Sequence, residues 1–439
     1  MELITKLLGT FGSLAAVLTD KRQGTGRVLY SMSDIFLSAF SLFFMQNASF
    51  LSFQRNMEKG STQTNYQGLF GVEKIPTDSH IRSMLDAVSP GELEPCFDAS
   101  LAAMEQNGGM ASFTVFGTRK LIALDGTEYF GSHKLNCPCC QKRERSNGKT
   151  EYYHAMLCAT VVAPGHNQAF PLMPEFITPQ DGHDKQDCEL AAAKRWLAAH
   201  HDKVKALQPI YLGDALFACQ SLCEAIRALQ SDFLFTSKPG RNKGLYELVN
   251  GMQRQQVRTK TQPRGKRPVA TLYEWIDDVP LRHGDEAQRV TWIRISTTDH
   301  SGKKIYSNDF ITSLSVSKET IVEIVACARA RWKIENETFN VLKNNGYHIE
   351  HNFGHGQKNL AMVFAAINLL AFACHTVMDC CSKIWNRVRD YEGSRKDFFG
   401  AMSNACRFLI FPSWESLWGT MLDKNKTPDQ KQFQKISAM

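Results

Sequence analysis

Two aspartates and a glutamate sit where their neighbours give a carboxylate no structural reason to be. Asp125 follows the apolar run Leu121-Ile122-Ala123-Leu124, and Asp214 follows Pro209-Ile210-Tyr211-Leu212-Gly213. Each run reads as a buried strand, so each aspartate is expected at a strand's carboxyl end, the edge at which open α/β sheets bind ligands. Aspartate before Gly or Ala also starts turns and caps helices. That account serves either residue alone, but less well two at equivalent ends of one sheet. Glu335 falls inside the stripe Ile321, Val325, Ala328, Trp332, Phe339 and Leu342, whose spacing of three and four marks the buried face of a long helix. Arg331, one turn earlier, can give Glu335 a structural ion pair. The better reading is metal binding: two aspartates and a glutamate converging from separate elements form the hard-oxygen set that Mg²⁺ prefers. Two such ions activate the attacking oxygen and stabilise the leaving oxygen of a phosphodiester.

The elements that must position these acids follow from the pattern along the chain. Residues 1–112 read as helical, with a dense apolar stretch from Asp34 to Phe53, a helix start at Pro76-Thr77-Asp78 and a stop at Ser89-Pro90-Gly91. Short β-rich runs then begin. A strand over Tyr152–Val162 is preceded by Asn147-Gly148, a dipeptide suited to tight hairpin turns because both residues tolerate positive φ. A third strand is expected over Gln168–Ile177, a helix over Lys185–His200, strands at Pro209–Leu212 and Phe233–Phe235, and a helix between them over Ala215–Leu229. The order β-β-β-α-β-α-β implies a mixed sheet with helices on its faces. Alternating runs at Thr271–Ile276, Val290–Ile295 and Lys304–Ile311 read as a β-rich insertion over 238–316. A long helix from a Ser317 cap to about Asn345 and an apolar helix over Asn359–Cys381 follow, and the polar chain from Asp423 is expected to be loose. The implied divisions are 1–112, a catalytic core over 113–237 and 317–385 split by the insertion, and a C-terminal segment over 386–439.

Composition narrows the class. The 439 residues are 43% hydrophobic and 22% charged, enough for two or three folded domains, and the net charge of +7 is modest. It is concentrated, however. Lys238, Arg241, Lys243, Arg254, Arg258, Lys260, Arg264, Lys266 and Arg267 face only Glu247 in one segment, the footprint of a polyanion contact. Thirteen cysteines scattered through a long chain with no secretory start argue against a disulfide framework and for a reducing, cytoplasmic compartment. The run Leu360–Cys374 is broken by Asn368 and is shorter than the ~18–20 residues of a membrane span, so a buried helix is expected.

The run Ala328-Arg-Ala-Arg-Trp-Lys-Ile-Glu-Asn-Glu-Thr-Phe-Asn-Val-Leu-Lys343 resembles the signature around the last acid of the DDE transposases of bacterial insertion sequences. It is closest to the group whose RNase-H-like domain is interrupted by a β-rich insertion and whose signature reads Tyr, Arg, Glu, Lys. Arg331-Trp332, Ile334-Glu335 and Phe339 match at that spacing, Asp125 (Ile122-Ala-Leu-Asp-Gly-Thr) and Asp214 (Tyr211-Leu-Gly-Asp) match the first two acids, and the likeness spans about Leu121 to Gly356. Two positions depart: the tyrosine falls at Ala328, and the lysine falls at Leu342, with Lys343 one residue beyond. On a regular helix one residue is a rotation of about 100°, so Lys343 serves only if its stem bends round or the helix is irregular.

The resemblance implies an α/β, RNase-H-like catalytic core with a helical N-terminal DNA-binding region. It further implies Asp125, Asp214 and Glu335 as catalytic ligands of Mg²⁺, with Mn²⁺ able to substitute, and metal-dependent cleavage at the ends of an insertion sequence. The freed 3′-hydroxyl is then transferred into target DNA. Arg331, Lys343 and the basic segment would contact double-stranded DNA, at the terminal inverted repeats and the target, and a homodimer is the economical way to pair two ends. Trp292 or Trp275 would stack on a displaced base, although a tryptophan in a strand is more often core. The alternatives are an RNase-H-like nuclease that cuts without joining and a catalytically silent, transposase-derived DNA-binding protein.

Cys137-Pro-Cys-Cys140, with His133 before it and His154 or Cys158 across the hairpin, has part of a zinc knuckle. The second pair is missing, so reduced free cysteines are the preferred reading over structural zinc at Cys137 and Cys140. His348, His351 and His355, among Gly354 and Gly356, read as a mobile loop near phosphate. Cys219 and Cys223, one helical turn apart, read as packing residues.

Overall fold

The computed structural model describes residues 2–22, 28–58, 64–179, 187–261 and 268–422. Five helices open the chain: α1 (Leu3–Ala15), α2 (Met32–Phe44), α3 (Phe50–Met57), α4 (Asp78–Leu85) and α5 (Glu94–Gln106). Local sequence sets their starts. Ser31 caps α2 through the Asp34 N–H at 3.0 Å while Asp34 accepts the Ser31 N–H in return, and Thr77 caps α4. These helices are not a separate body. Phe43 of α2 packs edge-on against Phe353 and Phe364, at 4.9 and 5.8 Å between ring centroids, so the N-terminal helices share one hydrophobic core with the C-terminal half.

Twelve strands form one mixed sheet: β1 (Thr114–Val115), β2 (Arg119–Ser132), β3 (Gln141–Glu144), β4 (Thr150–Val162), β5 (Phe170–Pro171), β6 (Glu175–Ile177), β7 (Pro209–Gly213), β8 (Asp232–Ser237), β9 (Gln255–Thr261), β10 (Val269–Pro280), β11 (Arg289–Thr298) and β12 (Lys304–Thr312). The order is β3-β4-β2-β7-β8-β12-β11-β10-β9. β2 and β4 are antiparallel, β2, β7 and β8 run parallel, and the remainder is antiparallel. Leu121 to Leu124 and Ile210 to Leu212 are fully buried, as strands covered on both faces must be. The expected hairpin turn is present, with Gly148 at φ +73°. The strand expected over Gln168–Ile177 is two short pieces, β5 and β6.

Helices α6 (Glu189–Val204), α7 (Gln220–Ala228) and α8 (Lys243–Val249) connect the strands. The insertion is not a separate β body: β12 pairs with β8 through Asp309–Ser237 and Thr312–Leu234, so the insertion extends the central sheet. After it, the helix expected to run unbroken to Asn345 is interrupted. α9 (Ile321–Arg329) begins after Thr320, with no side-chain cap from Ser317, and a π-helical turn (Ile334–Phe339) leads into α10 (Asn340–Asn344). α11 (Leu360–Cys381) is, among the described residues, the one helix long and apolar enough to cross a membrane. Its 22 residues exceed the run read from sequence, but 94% of its apolar window is buried inside the protein, which makes it the core helix. α12 (Lys383–Glu392), α13 (Arg395–Phe408) and α14 (Trp414–Leu422) close the described chain, and the tail from Asp423 lies outside it.

Candidate functional site

Asp125 is not at the end of its strand. β2 continues through it to Ser132, with Asp125 opposite Cys158 of β4. Instead, it is the β2–β7 pairing that ends early. The parallel register sets Lys120 beside Pro209 and Ala123 beside Leu212, and continued two residues it sets Asp125 beside Asp214. The two strands stop bonding at Ala123 and Leu212, two residues before the aspartates. Asp214 begins the turn after β7, its Oδ1 accepting the Leu216 N–H at 2.7 Å.

Glu335 reaches the same place from the π-helical turn. Arg331 joins the two sides: its Nη2 lies 2.7 Å from Glu335 Oε1 and its Nη1 3.2 Å from Asp125 Oδ2. The expected stripe is buried at Ile321, Val325, Ala328, Phe339 and Leu342, but α9 ends at Arg329 and the stripe breaks at Trp332 and Glu335. Trp332 is exposed, and the Glu335 side chain is 50% exposed, facing an open cleft of about 940 Å³ that Asp125 also lines. Glu335 therefore bears no full desolvation cost. Asp125 does: burial pushes its carboxyl up to about 7, against the attraction of Arg331 and reinforced by Glu335, Glu189 and Asp214.

Glu189 is a fourth acid here that the sequence reading passed over. It opens α6, where an acidic first-turn residue is ordinary. Burial raises its carboxyl too, with repulsion from Asp214 and then Glu128. The nearest hint in the sequence is Gly126: a Cβ there would lie 2.2 Å from Glu189 Oε1, so only glycine admits that carboxylate beside Asp125. Asp125 and Glu335 hold one guanidinium, and Glu189 and Asp214 lie near enough to repel the Asp125 carboxylate, a surplus of negative charge. Hard oxygen donors with that surplus suit a divalent cation.

Lys343 lines the same cleft and pairs with Glu350 at 2.9 Å. The π-helical turn explains how. The Asn340 N–H bonds to the Glu335 carbonyl, five residues back, and this turn absorbs one residue more than an α-helical one. Eight residues after Glu335, Lys343 comes round to the face that seven would reach on a regular helix. Arg331, already held by two carboxylates, is a positioning residue rather than a free phosphate contact. Ala328 is buried.

The basic segment divides into parts. Lys238, Arg241, Lys243, Arg258 and Lys260 are exposed, and no ion pair among the described residues engages them, which leaves them available to a polyanion. Arg254 is different: it pairs with Glu274 at 3.2 Å and lies over the Trp292 ring, with Arg294 over that ring as well. Trp292 and Trp275 are fully buried, so neither stacks on a base; both are core residues of the extended sheet. Arg264, Lys266 and Arg267 lie outside the described residues.

The Cys/His reading is corrected in its membership. Cys137, Cys140 and His154 gather with His355, their ligand atoms all within 4.8 Å of one another, a set that could hold a metal ion. Cys158 lies instead in the core opposite Asp125, and His133 bonds the Thr150 carbonyl. His355 is buried and held, not in a mobile loop. Cys223 is buried on α7, as a packing residue should be. Among known proteins, no family model matches this chain and no curated protein matches it significantly.

Proposed function

We propose that this chain is a DDE-type transposase with an RNase-H-like core, which cleaves DNA at the ends of an insertion sequence and joins the freed 3′-hydroxyl to target DNA. The observation that carries the reading is the convergence of the acids: the β2–β7 register, carried two residues past its last pair, brings Asp125 level with Asp214 in the turn after β7, and Arg331 ties Asp125 to Glu335. Support comes also from the antiparallel β3-β4-β2 group followed by parallel β7 and β8, and from the exposed cations of the inserted segment.

In this reading Asp125, Asp214 and Glu335 would hold Mg²⁺, which when bound supplies polarisation of the attacking oxygen and neutralisation of the leaving one. Arg331 fixes Oδ2 of Asp125 and Oε1 of Glu335. The Gly126 N–H orients Asp125 by donating to Oδ1 at 3.0 Å. Lys343 and the free cations at 238–260 position the DNA backbone. A homodimer would bring two ends together.

The test is a Mg²⁺ or Mn²⁺ titration of cleavage on DNA carrying the ends of the encoding element, with Glu335→Gln in parallel and strand transfer scored separately. Metal-dependent nicking at the element boundary that Glu335→Gln and Asp214→Ala abolish, with DNA binding kept, is expected. Nicking without joining would leave a nuclease, and full activity in Asp214→Ala would overturn the assignment.

A further inference from the structure

The Cys/His cluster has a geometry of its own. Cys137 Sγ and Cys140 Sγ are 3.8 Å apart; His154 Nε2 lies 3.5 and 3.3 Å from them, and His355 Nε2 lies 3.5 Å from Cys140 Sγ. A disulfide needs sulfurs at about 2.05 Å, and these are nearly twice as far apart. A tetrahedron with Zn–S of about 2.3 Å and Zn–N of about 2.05 Å has S–S edges of about 3.8 Å and S–N edges of about 3.6 Å. Four of the six edges lie within about 0.3 Å of that figure, and the other two, from His355 to Cys137 and to His154, lie within 4.8 Å. We propose that Cys137, Cys140, His154 and His355 bind one structural Zn²⁺ ion, which ties the hairpin carrying Asp125 to the segment that follows Glu335.

The surroundings support a closed metal site. Cys137 and Cys140 form a tight turn, the Cys140 N–H donating to the Cys137 carbonyl at 3.1 Å and the Cys137 N–H pointing at Cys140 Sγ at 3.4 Å. N–H groups directed at sulfur favour thiolate. The His154 ring stacks on Tyr129, and the His355 ring stands edge-on to Phe130 at 4.5 Å. His355 is buried, its Nδ1 has no hydrogen-bond partner among the described residues, and its Nε2 lies 3.5 Å from the Cys140 sulfur, so without a ligand its burial is poorly repaid. Two thiolates and two neutral imidazoles leave Zn²⁺ formally neutral, and binding releases the two thiol protons. Borderline-soft N and S donors in a tetrahedron select zinc over Mg²⁺.

His355 reaches the site from far along the chain because its loop is clamped. Asp86, at the end of α4, accepts the N–H groups of Gln357, Lys358, Asn359 and Leu360 at 3.0 to 3.3 Å, and Arg82 Nε donates to the Phe353 carbonyl at 2.8 Å. Gly356, at φ +71°, lets the backbone come against Asp86, where a Cβ would lie 2.3 Å from Oδ1. The ion would therefore fasten the β2–β4 hairpin to the loop after Glu335, which Asp86 and Arg82 in turn hold to the N-terminal helices. The site stands whether or not the carboxylate cleft is an active site.

The experiment is elemental analysis of the purified full-length chain after dialysis, with Co²⁺ substitution as a second readout. About one zinc per chain is expected, together with the absorption of tetrahedral Co²⁺ and a thiolate charge-transfer band on exchange. Cys140→Ser and His355→Asn should each lose the ion, while Asp125→Asn and Glu335→Gln keep it, which separates this site from the Mg²⁺ cleft. A wild-type chain with reduced cysteines that neither carries zinc nor takes up Zn²⁺ or Co²⁺ would overturn the proposal. So would a Cys137–Cys140 disulfide, or full zinc content in folded His355→Asn. Should the variants fail to fold, the wild-type stoichiometry and Co²⁺ spectrum still decide it.

Discussion

Replacing Asp125 by Asn should stabilise the magnesium-free protein, and by an amount that grows with pH. The carboxyl stands at about 7 in the folded protein against an ordinary 3.8, through burial first, then repulsion by Glu335, Glu189 and Asp214, with the attraction of Arg331 already counted. The native state therefore holds a proton that the unfolded state has released across that interval, and stability falls as pH rises through it. At 1.36 kcal/mol per pH unit the full loss is about 4 kcal/mol, reached above pH 7, with roughly a third of it already spent by pH 5. The amide that replaces the carboxyl in Asp125→Asn has no such proton to lose. For a chain of this size unfolding as one unit, about 1 °C of Tm corresponds to 1 kcal/mol. The Tm advantage of Asp125→Asn should then widen by about 3 °C between pH 5 and pH 8 in magnesium-free buffer, read by calorimetry or fluorescence. Added Mg²⁺ at pH 8 should raise the wild-type Tm and leave the variant's unchanged. Parallel Tm curves for the two proteins across that range would refute the claim that Asp125 carries the strain of a clustered, half-desolvated acid.

Other changes should separate the cleft from the scaffold. Gly126→Ala forces the flexible Glu189 side chain away from Asp125, so metal-dependent cleavage should fall while Tm moves little; unchanged cleavage would remove Glu189 from the site. Trp292→Ala should cost about 3–5 kcal/mol of stability, as loss of a fully buried ring does, and DNA affinity measured on the folded fraction should hold. A selective loss of DNA binding at unchanged Tm would reinstate it as a contact. Lys343→Ala should weaken binding to DNA of any sequence and lower the slope of log K against log salt by about 0.9, and an unaltered slope would place Lys343 outside the DNA path.

Much of the frame was legible because it is local. The burial of Leu121–Leu124 and Ile210–Leu212, the Asn147-Gly148 turn and the apolar helix at 360 each follow from a few adjacent residues, and the structure has them. Alternation along Thr271–Ile276 identifies a strand but says nothing of which strand it joins, so the extension of the central sheet through β12 and β8 had no local signature. The same limit governs the cluster at Cys140: its fourth ligand, His355, lies 215 residues away, and the missing second Cys or His pair that argued against a metal site is supplied by two single histidines from different elements.

The helix at Glu335 is the more instructive failure, because periodicity there pointed to the wrong face. Counting threes and fours from Ile321 assumes an unbroken α-helix, and the assumption put Glu335 in the core and turned Lys343 away from it. The chain instead closes one turn with the Asn340 N–H on the Glu335 carbonyl. The end of α9 at Arg329 turns Glu335 to the cleft, and the wider turn after it brings Lys343 round to line the cleft with the acid. The departure of one residue from the transposase signature and the wider turn are therefore one fact. π-Helical turns persist mainly where a function repays their poorer packing. If, as proposed, this helix presents an acid and a cation to one phosphate, an inserted residue would be carried in this way, as a local bulge between the two. Deleting Asn336, which is exposed within the turn, should then restore a regular helix and bring the lysine to the seventh position after Glu335. If cleavage and DNA binding survive that deletion, the bulge is an accommodated insertion; if they are lost, the wider turn itself aims Glu335 at Asp125.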